Sequence, residues 1–366
     1  MARIEEIVLY RLRVPLSVPY KVSLHVFHHF EPIVASLRDS DGRTGWGEAE
    51  ITPGYADETP DGGWTWCRTM AAALIGRDVA AAPATIAPTR DANPHAASVL
   101  TGALDSATGH PLLDRRAPAV VPLLAPVNAM DPAAAAAEVE RLIATGFRTL
   151  KVKVGFAVAD DLRRVAAIQR AASGHATLRL DANQAFDRDA GRAFASSLEP
   201  AGIELFEQPC DKADWAANQA VAAVSTVPIM LDESIYGLAD IDRAAEIPGV
   251  GFVKLKLKKL GDLDRLMAGL QRIRTRGLEP VLGDGTATDI ACWLEACVAA
   301  AAIRNAGEMN GFLKLARPLL RQKLPFADGA IQLAAGWRPE IDTETVAACT
   351  TARERYAIPH AALSRT

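Results

Sequence analysis

Three short stretches decide how this chain reads: LRLDAN at 178–183, ELFEQP at 204–209 and IMLDES at 229–234. In each, an apolar run of strand composition ends on an acid (Asp181, Glu207, Asp232), and a segment of helical period follows. Extending outward, the same texture yields strands at 121–127, 149–154, 177–180, 203–206, 228–231, 251–255, 280–282 and 305–309. Charged residues recur at the ends of successive strands: Lys153, Asp181, Glu207, Asp232 and Lys256 are separated by 28, 26, 25 and 24 residues. One βα unit of a closed barrel takes that much chain, since roughly 250 residues serve eight units. The alanine runs 133–137 and 299–302 read as helix faces packed on such a barrel.

The chain has 366 residues, enough for about two domains or one large α/β barrel with an added module. Residues 1 to about 115 read as that module: strands at 4–14, 32–38 and 45–49, a DSDGR turn at 39–43, then helices near 63–75 and 96–108. With 40 basic against 44 acidic residues, the chain has no electrostatic footprint for nucleic acid or anionic membrane, so small-molecule chemistry is the default. Five cysteines without CxxC spacing exclude a disulfide framework and suit a reducing cytoplasm. No apolar run reaches the length of a membrane span, and the N-terminus lacks a signal-peptide pattern.

Barrel chemistry sits at the C-terminal ends of the strands. Any one of the three acids there reads equally well as a helix cap, but three on consecutive strands repel one another unless a cation neutralises them. An all-oxygen set favours a hard ion, Mg²⁺ first and Mn²⁺ second. Asn183 leans toward that ion, whereas a two-residue period turns Glu233 away from it. Lys151 and Lys153 share one face of the second strand, and Lys254 and Lys256 share one face of the sixth, across the ring. Two neighbouring cations lower each other's pKa, which suits one lysine to act as a base. Lys256, nearer the mouth than Lys254, is the counterpart on the opposite side, and Lys258 and Lys259 fall in the following loop.

These motifs, with DGRTGWGEAE (41–50) and ALD (103–105), resemble the enolase superfamily, and within it the muconate-lactonizing subgroup of the muconate cycloisomerase and mandelate racemase branch. The resemblance spans nearly the whole chain. It implies an α/β fold: an α+β capping domain (1–117), a modified (β/α)₇β TIM-like barrel carrying the catalytic site (118–313) and a C-terminal segment returning to the cap (314–366). It implies Asp181, Glu207 and Asp232 as Mg²⁺ ligands, Lys153 and Lys256 as acid/bases, and Lys151 as the contact to the substrate carboxylate. It also implies a symmetric assembly of identical subunits. A mandelate racemase type would need a seventh-strand histidine, and none lies between His175 and His360.

At the eighth strand, amino-acid and dipeptide epimerases of this family carry Asp-x-Asp for the substrate ammonium. Here Glu308 and Asn310 stand in that pattern, predicting a carboxylate substrate with a cationic α-nitrogen. Together with VLGDGTATD after the seventh strand, NAGEMNGFLK is similar to family members that epimerise and dehydrate cis-3-hydroxy-L-proline. Their reaction removes the α-proton, and the resulting enediolate is reprotonated or loses the β-hydroxyl. Asp284 and Thr286 are then placed to meet a leaving group, and loops at 20–30 and 53–62, with Tyr20, His25, His28 and Tyr55, to set specificity. Alternatives within the family are an amino-acid or dipeptide racemase/epimerase and a muconate-type cycloisomerase; outside it, a non-catalytic small-molecule-binding barrel. A dinucleotide fold fails because Thr288 fills the third glycine slot of GDGTAT, and no GxSxG serine site is present.

Overall fold

The computed structural model of the chain describes residues 2–22 and 25–359. Seven parallel strands lie side by side in chain order: Ala125–Val127, Thr149–Lys153, Thr177–Asp181, Ile203–Glu207, Ile229–Leu231, Val250–Leu255 and Glu279–Leu282. Their outward Val, Leu and Ile side chains are buried under the helices, so the strands read as near-continuous apolar runs. The ring closes through 305–309. Gly307 N donates to Pro122 O at 2.8 Å, Leu124 N to Gly307 O at 3.0 Å, and Glu308 N to Leu282 O at 2.9 Å. The fold is a modified (β/α)₇β barrel with an N-terminal α+β cap.

Two of the eight expected strands differ. The 305–309 segment bridges both neighbours without regular strand geometry, because Asn310 N turns back to Glu308 O at 2.7 Å. The 121–127 run divides. Ala119–Pro122 pairs antiparallel with Ala330–Leu333, and only Ala125–Val127 joins the barrel. Pro122, without an N–H, falls where the chain changes sheets.

Asp131, Asp187, Asp214 and Asp262 each close a βα loop by accepting a backbone N–H in the first turn of the helix that follows. Both alanine runs lie in helices, Pro132–Ala144 and Asp289–Ala302. The second of these is buried along most of its length, and the cap meets its N-terminal end, where Thr288 N donates to Glu48 Oε1 at 2.6 Å.

The cap sheet runs Thr350–Ala357, Ile4–Leu12, Ile33–Asp39, Thr44–Ala49, all antiparallel, so a C-terminal strand completes the N-terminal module. Helix Pro94–Thr108 packs directly on the glycines of TGWGEA. A Cβ at Gly45 would stand 2.1 Å from Ala103 O, and one at Gly47 2.3 Å from Val99 O. The region read as a loop at 20–30 is instead part of a β-hairpin, Val14–Val22 with His25–Phe30. It docks on the segment after the barrel through Ser17 Oγ to Lys314 O (3.1 Å) and Ala316 N to Pro15 O (2.9 Å). Among the described residues no helix is long and apolar enough to cross a membrane.

Candidate active site

Inward side chains climb the barrel in layers. Leu205, Met230 and Val281, with Phe252 against them, form an apolar floor. Two residues further along the same strands or just past them, Leu205 gives way to Glu207, Met230 to Asp232 and Phe252 to Lys254. Register places Asp181 between Lys153 on one side and Glu207 on the other. The three acids therefore stand on adjacent staves, and each is at most 1% exposed.

Lysines interleave with them. Lys151 Nζ lies 2.8 Å from Asp181 Oδ2 and 2.8 Å from Glu207 Oε2, and donates to both oxygens of Glu308 at 3.0 and 2.9 Å. Lys153 Nζ donates to Asp181 Oδ2 at 2.6 Å and to Asn183 Oδ1. Lys254 Nζ donates to Glu207 Oε1 at 3.2 Å and to Glu308 Oε2. Lys256 Nζ donates to Asp232 Oδ2 at 3.1 Å and to the hydroxyl of Tyr55, which itself donates to Asp232 Oδ1 at 2.6 Å. A cavity of about 560 Å³ opens above, walled by the cap loop, the hairpin and the strand ends.

Tyr55 and Tyr20 both face this cavity, with Tyr20 stacked on Phe27 at 6.3 Å. Asp284 and Thr286 also line it. Asp284 Oδ1 accepts from Thr286 N (3.1 Å) and Oγ1 (2.9 Å), and Asp284 Oδ2 pairs with Lys258 at 2.6 Å. His28 lies on the exposed rim; the side chain of His25 is outside the described residues.

Several readings change. Glu308 does not stand free for a cation, because both its oxygens are taken by lysines. Asn310 is off the cavity wall. Its amide donates to Leu124 O at 2.9 Å and its Oδ1 accepts from Lys314 at 2.6 Å, which ties the closing segment together. Glu233 faces inward: its Oε1 accepts from Asn183 Nδ2 at 2.9 Å. The strand ends at Leu231, so the two-residue alternation no longer governs Asp232 and Glu233. Lys258 and Lys259 lie in a short helical turn, Leu257–Leu260, rather than a solvated loop, and both are buried. The turn carries Lys259 back onto Asp232 Oδ1 at 2.5 Å. The signal for this was the unbroken KLKLKK itself, more cations than a strand end can shed to water.

Nor is Lys151 depressed by its neighbour. Burial disfavours its charge, but Asp181, Glu207 and Glu308 outweigh burial and hold the ammonium well above its ordinary pKa. Lys256 is likewise raised, burial being overcome chiefly by Asp232. Lys259 is pulled down, by burial and then by Lys256, and Lys314 is pulled down by burial.

The donors fit a hard divalent ion in type and in the strands that carry them: three carboxylates on adjacent strands, with Glu207 Oε2 buried and without a hydrogen bond, since Lys151 at 2.8 Å is misaligned for one. Burial and then Asp181 push the Glu207 carboxyl above its ordinary range. As the side chains stand, ammonium groups intervene, and among the described residues no three His, Cys, Asp or Glu side chains are grouped closely enough to hold an ion.

Fold and site together define a barrel enzyme with paired lysines and an acidic cradle. Residues 134–344, more than half the chain, match the family model described as Enolase C-terminal domain-like, and the chain belongs to that family, in the muconate-lactonizing and mandelate racemase branch of the enolase superfamily. The L-Lys-D/L-Arg epimerase of Methylococcus capsulatus is 27% identical over 344 residues, 87% of this chain and 93% of that protein. The muconate lactonizing enzyme of Pseudomonas fluorescens, solved with muconolactone, is similar at a TM-score of 0.86 and 27% identity, over 95% of this chain and 99% of that one. A dipeptide epimerase from Cytophaga hutchinsonii, solved with Mg and the dipeptide D-Ala-L-Val, shares the fold at a TM-score of 0.86 and 22% identity, over 96% of this chain and 99% of that one. The chain is thus an enolase-superfamily enzyme of the isomerase/lyase kind, with amino-acid and dipeptide epimerases and racemases among its relatives.

Proposed function

We propose that this enzyme moves the proton α to the carboxylate of an amino-acid-type substrate, racemising or epimerising that centre. The observation that carries the reading is that Lys153 and Lys256 rise from the second and sixth staves of the ring, each anchored on a different acid, and both line one cavity. Lys151 is placed to donate to the substrate carboxylate. Lys153, oriented by Asn183, takes or returns the proton on one face, and Lys256, oriented by Tyr55, does so on the other. Asp181, Glu207 and Asp232 would hold a Mg²⁺, which supplies positive charge against the negative charge that grows on the substrate carboxylate. The hairpin and the cap loop keep bulk water from the mouth.

One further outcome has its own support. Lys258, Asp284 and Thr286 form a hydrogen-bonded group on the cavity wall, placed to protonate a departing β-hydroxyl, so a 3-hydroxyproline-type substrate would eliminate water after the same first step. The test is incubation with Mg²⁺ in D₂O with N-acylamino acids, dipeptides, hydroxyprolines and muconates, following the α-proton by NMR. Exchange with retained substrate is the expected result, and loss of hydroxyl identifies elimination. Silence across every class refutes the proposal.

A further inference from the structure

We propose that Lys254 is the permanent internal counter-ion of Glu308, and that this pair keeps a free substrate ammonium from docking there, so that the site favours substrates whose α-nitrogen is acylated. The inference rests on the proton-transfer reading above and concerns which substrates that chemistry accepts.

Lys254 is 2% exposed, and its Nζ reaches three acids: Glu308 Oε2, Glu207 Oε1 at 3.2 Å and Asp232 Oδ2 at 3.6 Å. Two of these, Glu207 and Asp232, belong to the cradle for the divalent ion. A buried ammonium left without a counter-charge is costly, so with those two acids committed Lys254 has Glu308 alone. Seen from Glu308, the partners are Lys151 and Lys254. Lys151 also touches Asp181 and Glu207 and is the group placed for the substrate carboxylate. Once it turns to that carboxylate, Glu308 retains one cation, and the pair is neutral. An ammonium brought to Glu308 would again put two cations on that acid, facing Lys254 at close range, but now with Asp181 and Glu207 committed to the divalent ion and unable to share the charge as they do for Lys151 and Lys254. An amide nitrogen carries no such charge. The sequence pattern that points to a cation at Glu308 is thus answered from within the barrel, by the deeper of the two sixth-strand lysines.

The experiment compares free amino acids or dipeptides with their N-acetyl counterparts in the wild type and in Lys254→Met. The wild type should favour the acetylated members. Removing Lys254 leaves Glu308 without its dedicated cation, so KM for ammonium-bearing substrates should fall by about tenfold or more relative to the acetylated ones. A second measurement needs no turnover: thermal melts of Lys254→Met, Glu308→Gln and the double variant, each with and without saturating Mg²⁺. Each single change should lower Tm, and the double should recover much of the loss in both conditions. If Lys254→Met alone does not fold and the double variant does, that rescue is the same coupling. Coupling that disappears on adding Mg²⁺ overturns the proposal, as does a wild-type preference for ammonium substrates that Glu308→Gln abolishes. If no compound exchanges its α-proton, the proton-transfer reading has failed, while the melting cycle still reports on the pair.

Discussion

Replacing Gly283 by alanine should damage the barrel where it closes. This glycine follows the strand Glu279–Leu282 with φ +132, a conformation closed to L side chains, and enforcing it costs about 1–3 kcal/mol. An added Cβ would stand 2.4 Å from Met309 N, 2.6 Å from Glu308 C and 2.7 Å from Glu308 N. All three are backbone atoms, so no rotamer change relieves the collision and the closing segment must shift. Overpacking of that kind costs about 1–3 kcal/mol, and the Glu308 N to Leu282 O bond at 2.9 Å contributes about 1 kcal/mol more when it opens. The total, ~3–7 kcal/mol, is a large part of the roughly 5–15 kcal/mol that holds a protein folded. At about 2–4 °C per kcal/mol, Tm should drop by about 10 °C. Gly277 is the control: its φ is +81 but a Cβ there meets nothing within 4 Å, so alanine costs only the backbone term of about 1–2 kcal/mol. Circular dichroism melts of both variants decide the matter. If Gly283→Ala melts within about 2 °C of Gly277→Ala, the collision does not govern and the reasoning is wrong.

Lys153→Ala and Lys256→Ala should each lose interconversion of enantiomers by about 10²–10⁴-fold, while each still washes out the α-proton of the enantiomer facing its remaining lysine. NMR in D₂O with each enantiomer separately shows this, and equal loss from both enantiomers in either variant would contradict the two-face arrangement. Tyr55→Phe removes the hydroxyl shared by Asp232 and Lys256 and should lower kcat by about tenfold or more with Tm nearly unchanged, read from steady-state kinetics beside melts. Stability should fall as pH rises from about 4.5 to about 8. Glu48 is pushed up to about 8 and Asp105 to about 7, in each case mainly by burial, so the folded state keeps protons that the unfolded chain releases. Melts across that range should show the decline, and Glu48→Gln should make it shallower while leaving the part owed to Asp105.

The barrel was legible because its signal is long-range and redundant: five charged strand ends at a near-constant interval, each strand followed by a helical segment. Wherever the alternation of a strand holds, placement from sequence holds with it, as for Lys151 and Lys153, or for Asp181 and Glu207 in register. The departures begin one residue past the strands. After Leu231 the chain bends, and Glu233 turns inward beside Asp232. After Leu255 it coils into Leu257–Leu260, and Lys259, three residues beyond Lys256, reaches the same acid. The hairpin partner His25–Phe30 has no strict alternation to betray it, since its strands are held by each other, by the 314–316 segment and by a small apolar cluster of Tyr20, Phe27 and Phe30 separate from the main core.

The lysine electrostatics failed to read out for a related reason. Sequence shows which charges are neighbours along one strand, so Lys151 is seen beside Lys153. In space Lys151 meets three acids from three other segments of the chain, and at these distances their attraction exceeds both the repulsion of one lysine and the cost of burial. The sign of a shift in such a site depends on the count of opposite charges within a few ångströms, and that count is a property of the closed ring. It follows that the state of each lysine is set by how many acids remain free to face it. Any cation entering the cradle draws on the same carboxylates, so it should move Lys256 toward the uncharged form a base requires and free Lys151 to turn to the substrate carboxylate, and should leave the Lys258–Asp284 pair, built on a different acid, largely as it stands.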